Sequence, residues 1–224
     1  MRLSIIVPML NEAGQLPELF AHLLPLKRGG CEIIFSDGGS TDGSAVLVKI
    51  AGFTVLHAAR GRARQMNAGA ASATGDVLLF LHADTRLPEG AALHIAHALA
   101  RKHLCWGRFD VCITGKPFML RVIGRTMNWR SRFTGIATGD QAIFVRRNEF
   151  EKLHGYADQP LMEDIELSRR LLAYSRPACI THCVSTSGRR WESRGVWRTI
   201  FLMWRLRWAY WRGMDVNKLE SLYR

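Results

Sequence analysis

The sequence predicts an α/β fold: a mostly parallel central sheet flanked by helices. Three observations predict it. First, four apolar runs, LSIIVPML (3–10), CEIIFSDGG (31–39), FTVLHA (53–58) and DVLLFLHAD (76–84), have the length and composition of buried strands. Second, segments with helical spacing lie between them: Leu16, Leu19, Phe20, Leu23 and Leu24, then 45–50, then the Ala-rich 63–73. Strands alternating with helices imply parallel pairing with both faces covered. Third, the polar residues gather where each strand ends, in PMLNE, SDGGSTDGS and HADT. Such sheets bind their ligands beyond the carboxyl ends of the strands, so one crevice can collect all three.

The second half is less regular. GDQAIFVRRNEF (139–150) reads as a strand leading into a helix, PLMEDIELSRRLLAYS (160–175) as an amphipathic helix, and PACITHCVSTSGRRW (177–191) as a strand with its outgoing loop. In the last segment, WRTIFLMWRLRWAYWR (197–212), a rotation of about 100° per residue puts Trp197, Phe201, Trp204, Trp208 and Trp211 on one stripe. Arg198, Arg205 and Arg212 lie beside it. This face suits a membrane surface or a lipid-linked acceptor, and equally packing on the catalytic domain or on a second copy in a homodimer.

With 224 residues, 48% hydrophobic and 22% charged, the chain is a folded globular protein of one large domain or two packed halves. Its net charge of +12 favours anionic partners. Five cysteines without a CxxC pair fit reduced thiols, and neither a leader sequence nor an apolar run of about 18 residues is visible. The expectation is a cytoplasmic protein, peripheral at the inner face of the membrane if the tail meets lipid. Two nucleotide folds are set aside, because the first turn, PMLNEAG, is not GxGxxG and no GxxxxGK[ST] occurs. No nucleic-acid motif accompanies the positive charge, so nucleic acid is not an expected partner.

Read from the residues alone, Asp84 just past a buried strand is a candidate ligand for a hard divalent cation, or simply a turn former ahead of Pro88. Asn11 is a candidate helix cap and Asp37 a turn former. Glu163 and Asp164 open an amphipathic helix, where acids also serve as dipole partners.

In combination and order, SIIVPMLNE, IIFSDGGSTDGS, GRARQMNAGA, GDVLLFLHADTRLP, GDQAIFVRRNEF and MEDIELSRRL make residues 3–191 resemble a family-2 glycosyltransferase of the GT-A fold. The chain looks most like the short bacterial branch associated with radical-SAM or selenium-domain proteins, related to enzymes proposed for arsenosugar synthesis. The resemblance implies a GT-A domain over 1–191, with a nucleotide-binding half (1–105) and an acceptor half (106–191), followed by a basic aromatic tail (192–224). It implies a nucleoside-diphosphate sugar donor, UDP- or GDP-linked, and Mg2+ or Mn2+ as cofactor. Pro8, Asn11, Glu12 and Asp37 would meet the nucleoside, and Arg62, Arg64 and Gln65 the diphosphate. HADT stands where the family has Asp-x-Asp: Asp84 would hold the metal and Ala83 line the nucleotide, while His82 replaces the first Asp and would contact ribose, bind metal or fill space. His182 would be a further metal ligand. Asp164, with Glu163 beside it, would be the catalytic base of an inverting transfer to a small or membrane-associated acceptor hydroxyl.

Gly139, Asp140 and Gln141 would line the acceptor side, as would Arg108 and Asp110 unless these form a surface pair. Arg190 and Trp191 of SGRRW resemble the end of the family's Gln-x-x-Arg-Trp signature, with Ser187 in place of Gln, and would close on diphosphate or acceptor. The rival readings are a catalytically weakened nucleotide-binding relative, motivated by His82, and a sugar nucleotidyltransferase, whose Gly-rich N-terminal loop is missing here.

Overall fold

In the computed structural model, which describes residues 1–223, the first apolar run forms β1 (Leu3–Met9), buried at every position. It pairs in parallel with β2 (Glu32–Asp37) and β4 (Val77–Phe80), and β2 pairs in parallel with β3 (Thr54–His57). The helices α1 (Leu16–Arg28), α2 (Ser44–Ile50) and α3 (Arg62–Ser72) supply the crossovers that parallel pairing needs. Because side chains alternate across a strand, Ile5 and Val7 join Leu16, Leu19 and Leu23 in one core, whereas Ile6 joins Ala63, Met66 and Ala70 in another. Two buried faces explain why the runs are continuously apolar.

The second half departs from parallel pairing. β7 (Phe144–Arg146) runs antiparallel to both β4 and β6 (Trp106–Thr114), β6 runs parallel to β8 (Ala178–Ser187), and the short β5 (Thr85–Arg86) lies antiparallel at the edge. The sheet is therefore mixed, in the order β3-β2-β1-β4-β7-β6-β8-β5. The segment 139–150, read as a strand leading into a helix, is the three-residue β7 running into the helix α6 (Arg147–Lys152), with a 3-10 turn (Gly139–Gln141) ahead of the strand. Two further helices, α4 (Ala91–Leu99) and α5 (Met119–Thr134), cover the first core, while α7 (Glu163–Leu171) covers the second.

Gly107 marks a close approach within the sheet. A Cβ there would stand 2.4 Å from the Ala178 carbonyl oxygen and 2.5 Å from Phe144 Cζ, with backbone on one side and a buried ring on the other. Gly107→Ala is expected to lower stability by about 1–3 kcal/mol through overpacking, read as a lower denaturation midpoint.

Arg108 and Asp110 are neither an acceptor surface nor a surface pair. Two residues apart on one face of β6, they form an ion pair beneath α5, with Arg108 fully buried. Arg108 also donates to Ser131 Oγ (3.1 Å) and to the Asn128 carbonyl (3.1 Å), and Arg132 donates to the second Asp110 oxygen at 2.7 Å. All five cysteines are free thiols.

After β8 the chain continues as α8 (Arg189–Arg194), α9 (Val196–Trp211) and α10 (Val216–Tyr223). The tail packs on its own chain: Leu206, Ala209 and Leu219 form a third core with Leu161 and Met162, just ahead of α7. That inward stripe leaves the aromatic one outside, with Trp197, Phe201, Trp204, Trp208 and Trp211 all exposed. Among the described residues no helix is long and apolar enough to cross a membrane.

Candidate active site

A cleft of about 230 Å³ opens where β1 and β4 end, facing the start of α7 and roofed by α8 and α9. From the first half it receives Pro8, Glu12 and Arg62, together with His82, Ala83 and Asp84 just past β4. The second half contributes Gly139, Asp140, Glu163 and Asp164, and the tail contributes Arg190, Trp191, Arg207 and Tyr223. Strand-end placement, inferred above from the polar clusters, accounts for the first group. The second depends on Met162, whose left-handed backbone (φ 66°) starts α7 so that its first two acids meet the cleft.

Asp164 is held by the backbone: the Gly139 N–H donates to its Oδ2 at 2.8 Å. Glu163 beside it is buried, with Arg62 Nη1 3.6 Å from Oε1. Burial pushes the Glu163 carboxyl above its ordinary value; Arg62 opposes this and the Asp164 charge adds to it. Across the cleft, Glu12 is likewise pushed up, by burial and then by the charge of Asp84. Asp84 itself accepts one long hydrogen bond, from Thr85 Oγ1 at 3.3 Å.

His82 does not stand alone where an acid was expected. Its Nδ1 lies 3.3 Å from Asp140 Oδ1, and its ring lies so close over Gly139 that a Cβ there would be 2.5 Å from Cε1 and Nε2. Burial works against the Asp140 charge, but the hydrogen bond and charge of His82, with Arg62 and Arg207, hold the carboxyl below its ordinary range. Arg190 donates to the Tyr223 hydroxyl, and its guanidinium sits 3.9 Å above that ring.

Besides Arg108 and Asp110, six of the expected site residues lie outside the cleft. Asn11, with φ 55°, accepts from the Thr41 N–H (2.8 Å) and orders the neighbouring loop. Asp37, buried, accepts from the Ser40 N–H (3.1 Å) and lies 3.3 Å from His57 Nδ1. Arg64 points outward to Asp158 (2.7 Å). Gln65 is buried between strand ends, its Nε2 donating to the Met9 and Ser36 carbonyls at 2.6 and 2.9 Å, which leaves no free amide for a diphosphate. Gln141 is buried and its Nε2 donates to Asn128 Oδ1 (3.3 Å). His182 does not join Asp84: it is exposed on β8, stacked on His94 with centroids 3.7 Å apart. Thr186, which pairs with Thr85, is four residues further along the strand, about 13 Å at the usual strand rise.

Two residues that motif reasoning passed over border the cleft. Arg207 lines it from α9, and Arg130 of α5 lies close by, its guanidinium pushed down by burial and then by the charge of Arg207. Both sit among several arginines on their helices, and no spacing rule singles them out.

A sequence model of Glycosyl transferase family 2 matches residues 4–153. The chain belongs to that family. Its relatives include the PGL/p-HBAD biosynthesis glycosyltransferase of Mycobacterium tuberculosis, 35% identical over 190 residues, a match that covers 80% of this chain and 72% of that protein. The probable glycosyltransferase YdaM of Bacillus subtilis is 26% identical over 99% of this chain. The chain spans 57% of that relative's length. Among solved structures, the mannosyltransferase PcManGT from Pyrobaculum calidifontis in complex with GDP-Man and Mn2+ superposes with a TM-score of 0.65 at 22% identity, over 93% of this chain and 61% of that one. The likeness establishes the GT-A-type α/β fold, mixed sheet included.

Proposed function

We propose that the chain is a metal-dependent, inverting glycosyltransferase that moves a sugar from a UDP- or GDP-linked donor to an acceptor hydroxyl, and that it falls in the branch associated with radical-SAM or selenium-domain proteins. What carries the reading is the meeting of Asp84 and Asp164 in one cleft that Arg62, Arg190 and Arg207 also line. Carboxylates for a metal and a base, and guanidinium groups for phosphate oxygens, are the complement of a nucleoside diphosphate sugar. The resemblance to PcManGT, which binds GDP-Man and Mn2+, supports a donor of this class.

The donor set fits a hard cation that takes part of its shell from the substrate. Among the described residues no three His, Cys, Asp or Glu side chains gather around one point, but Asp84 and Glu12 face each other closely enough for one charge to raise the other's carboxyl. One or two carboxylates plus substrate phosphates is a common Mg2+ arrangement. Bound there, Mg2+ or Mn2+ would neutralise charge developing on the leaving diphosphate. Asp164 takes the proton of the acceptor hydroxyl as that oxygen bonds to the anomeric carbon, while the carbon–oxygen bond to the diphosphate breaks and its electron pair leaves with the diphosphate. Attack from the face opposite the leaving group inverts the anomeric centre. The Gly139 N–H fixes the Asp164 carboxylate, and Arg62 orients Glu163. The proposed division remains 1–191 for catalysis and 192–224 as a tail, which here supplies Arg207 and Tyr223 to the site.

Calorimetric titration of UDP and GDP, with and without Mn2+ or Mg2+, tests the donor site. Wild type is expected to bind one of them in a metal-dependent way, and Asp84→Ala to weaken that binding about tenfold or more, at least about 1.4 kcal/mol. Binding of neither nucleotide under either metal overturns the reading.

A further inference from the structure

A second hollow, of about 440 Å³, runs between α5 and α9 and is continuous with the cleft: Asp140, Trp191, Met203 and Arg207 line both. Away from the cleft its walls are apolar, formed by Val122, Ile123 and Met127 on α5 and by Trp197, Ile200 and Trp204 on α9. Where groove and cleft join stand two arginines. Nε and Nη2 of Arg130 are buried and have no hydrogen-bond partner among the described residues. Burial, and then the nearby charge of Arg207, push the Arg130 guanidinium down to about 10, and Arg207 is lowered in turn by its own burial. A buried cation is ordinarily paired. Here the two cations lie near one another at the inner end of an apolar channel, beside the carboxylate placed as the base.

Resting on the transferase reading, we infer that the acceptor is a single amphiphilic molecule, with an anionic phosphate or carboxylate group seated on Arg130 and Arg207 and an apolar body lying in the groove between α5 and α9. The charge at the inner end selects the anion, and the Trp and aliphatic walls select the body. An uncharged sugar acceptor satisfies neither wall, and a bare anion leaves the apolar surface wet. The exposed aromatic residues that line the groove, Trp197 at 61% and Trp204 at 66% exposure, give an entry surface for a molecule drawn from a lipid or detergent-like phase.

Decyl phosphate, below its micelle threshold, is the probe, with binding read by calorimetry and by tryptophan fluorescence. Inorganic phosphate, decyl β-glucoside and phosphatidylglycerol vesicles serve as comparisons. Wild type is expected to bind decyl phosphate at least about tenfold more tightly than either inorganic phosphate or decyl glucoside, and Arg130→Gln and Trp204→Glu each to weaken it by about tenfold or more. Removing an unpaired buried charge leaves folding intact or improved, and Trp204 is at the surface, so at least one variant gives a folded sample. Equal affinity of both folded variants for decyl phosphate overturns the inference, as does equal affinity of wild type for decyl glucoside. Binding to vesicles with none to monomeric decyl phosphate does so as well. Nucleotide titration of the same wild-type preparation reads the donor site separately. Nucleotide binding without decyl phosphate binding rejects the amphiphilic acceptor alone, and the converse rejects the donor reading alone.

Discussion

Asp164→Asn is expected to lower the transfer rate by about 10²–10⁴-fold, the range for losing a positioned general base. The substitution is close to isosteric, and an Asn side-chain oxygen can still accept the 2.8 Å hydrogen bond from the Gly139 N–H, so the carboxylate's charge is lost while its mooring stays. Donor affinity, measured by titration of the nucleotide, is expected to stay at the wild-type value, because Asp164 acts on the acceptor. A variant that transfers at the wild-type rate removes Asp164 from the role of base. Wild type that binds nucleotide but turns over no donor with any acceptor favours the weakened relative that His82 suggested.

The second large effect concerns stability. Asp110→Ala is expected to destabilise the chain by about 3–5 kcal/mol, because it strands the fully buried Arg108 guanidinium with only Ser131 and a carbonyl for company. The denaturation midpoint reads the loss. The double variant Arg108→Met with Asp110→Leu is expected to be clearly more stable than Asp110→Ala alone, since a well-packed apolar pair replaces a buried ion pair at little or no net loss. If the single variant unfolds at the wild-type midpoint, the pair is not a structural anchor.

Strands β1, β2 and β4 were legible because both of their faces are buried, which writes a continuous apolar run into the sequence, and because Gly and polar clusters punctuate the ends; β3, half-exposed at the sheet edge, was legible from its β-branched and aliphatic residues. The same rule made Pro8, Glu12 and Asp84 legible as neighbours. β6 was not legible: Arg108 and Asp110 interrupt its apolar pattern, and nothing within nine residues reveals that Asn128, Ser131 and Arg132, on a helix that follows, help to satisfy them. The i, i+2 spacing of opposite charges was the one local signal. α5 was obscured by its arginines at 121, 125, 130 and 132. His182 failed for a different reason, since its distance from Asp84 depends on the pairing of β8 with β5 and β6, which breaks register at Phe109/Asp110 and leaves no mark in composition. Gln65 and Arg64 are adjacent on α3, yet one turns into the sheet and the other into solvent, a difference of helix face that a motif does not resolve.

The contact between His82 and Gly139 ties two distant positions into one inheritable unit. An imidazole at 82 occupies the space that any side chain at 139 would need, so a lineage that carries His at the first position of this strand end is constrained to glycine at the second. Where an ancestor or descendant restores a smaller acid at 82, that constraint lifts, and residue 139 becomes free to drift. The two columns are expected to change together in any collection of homologues, and the order of their changes would show whether the imidazole arrived into a gap already vacated or forced its neighbour to yield.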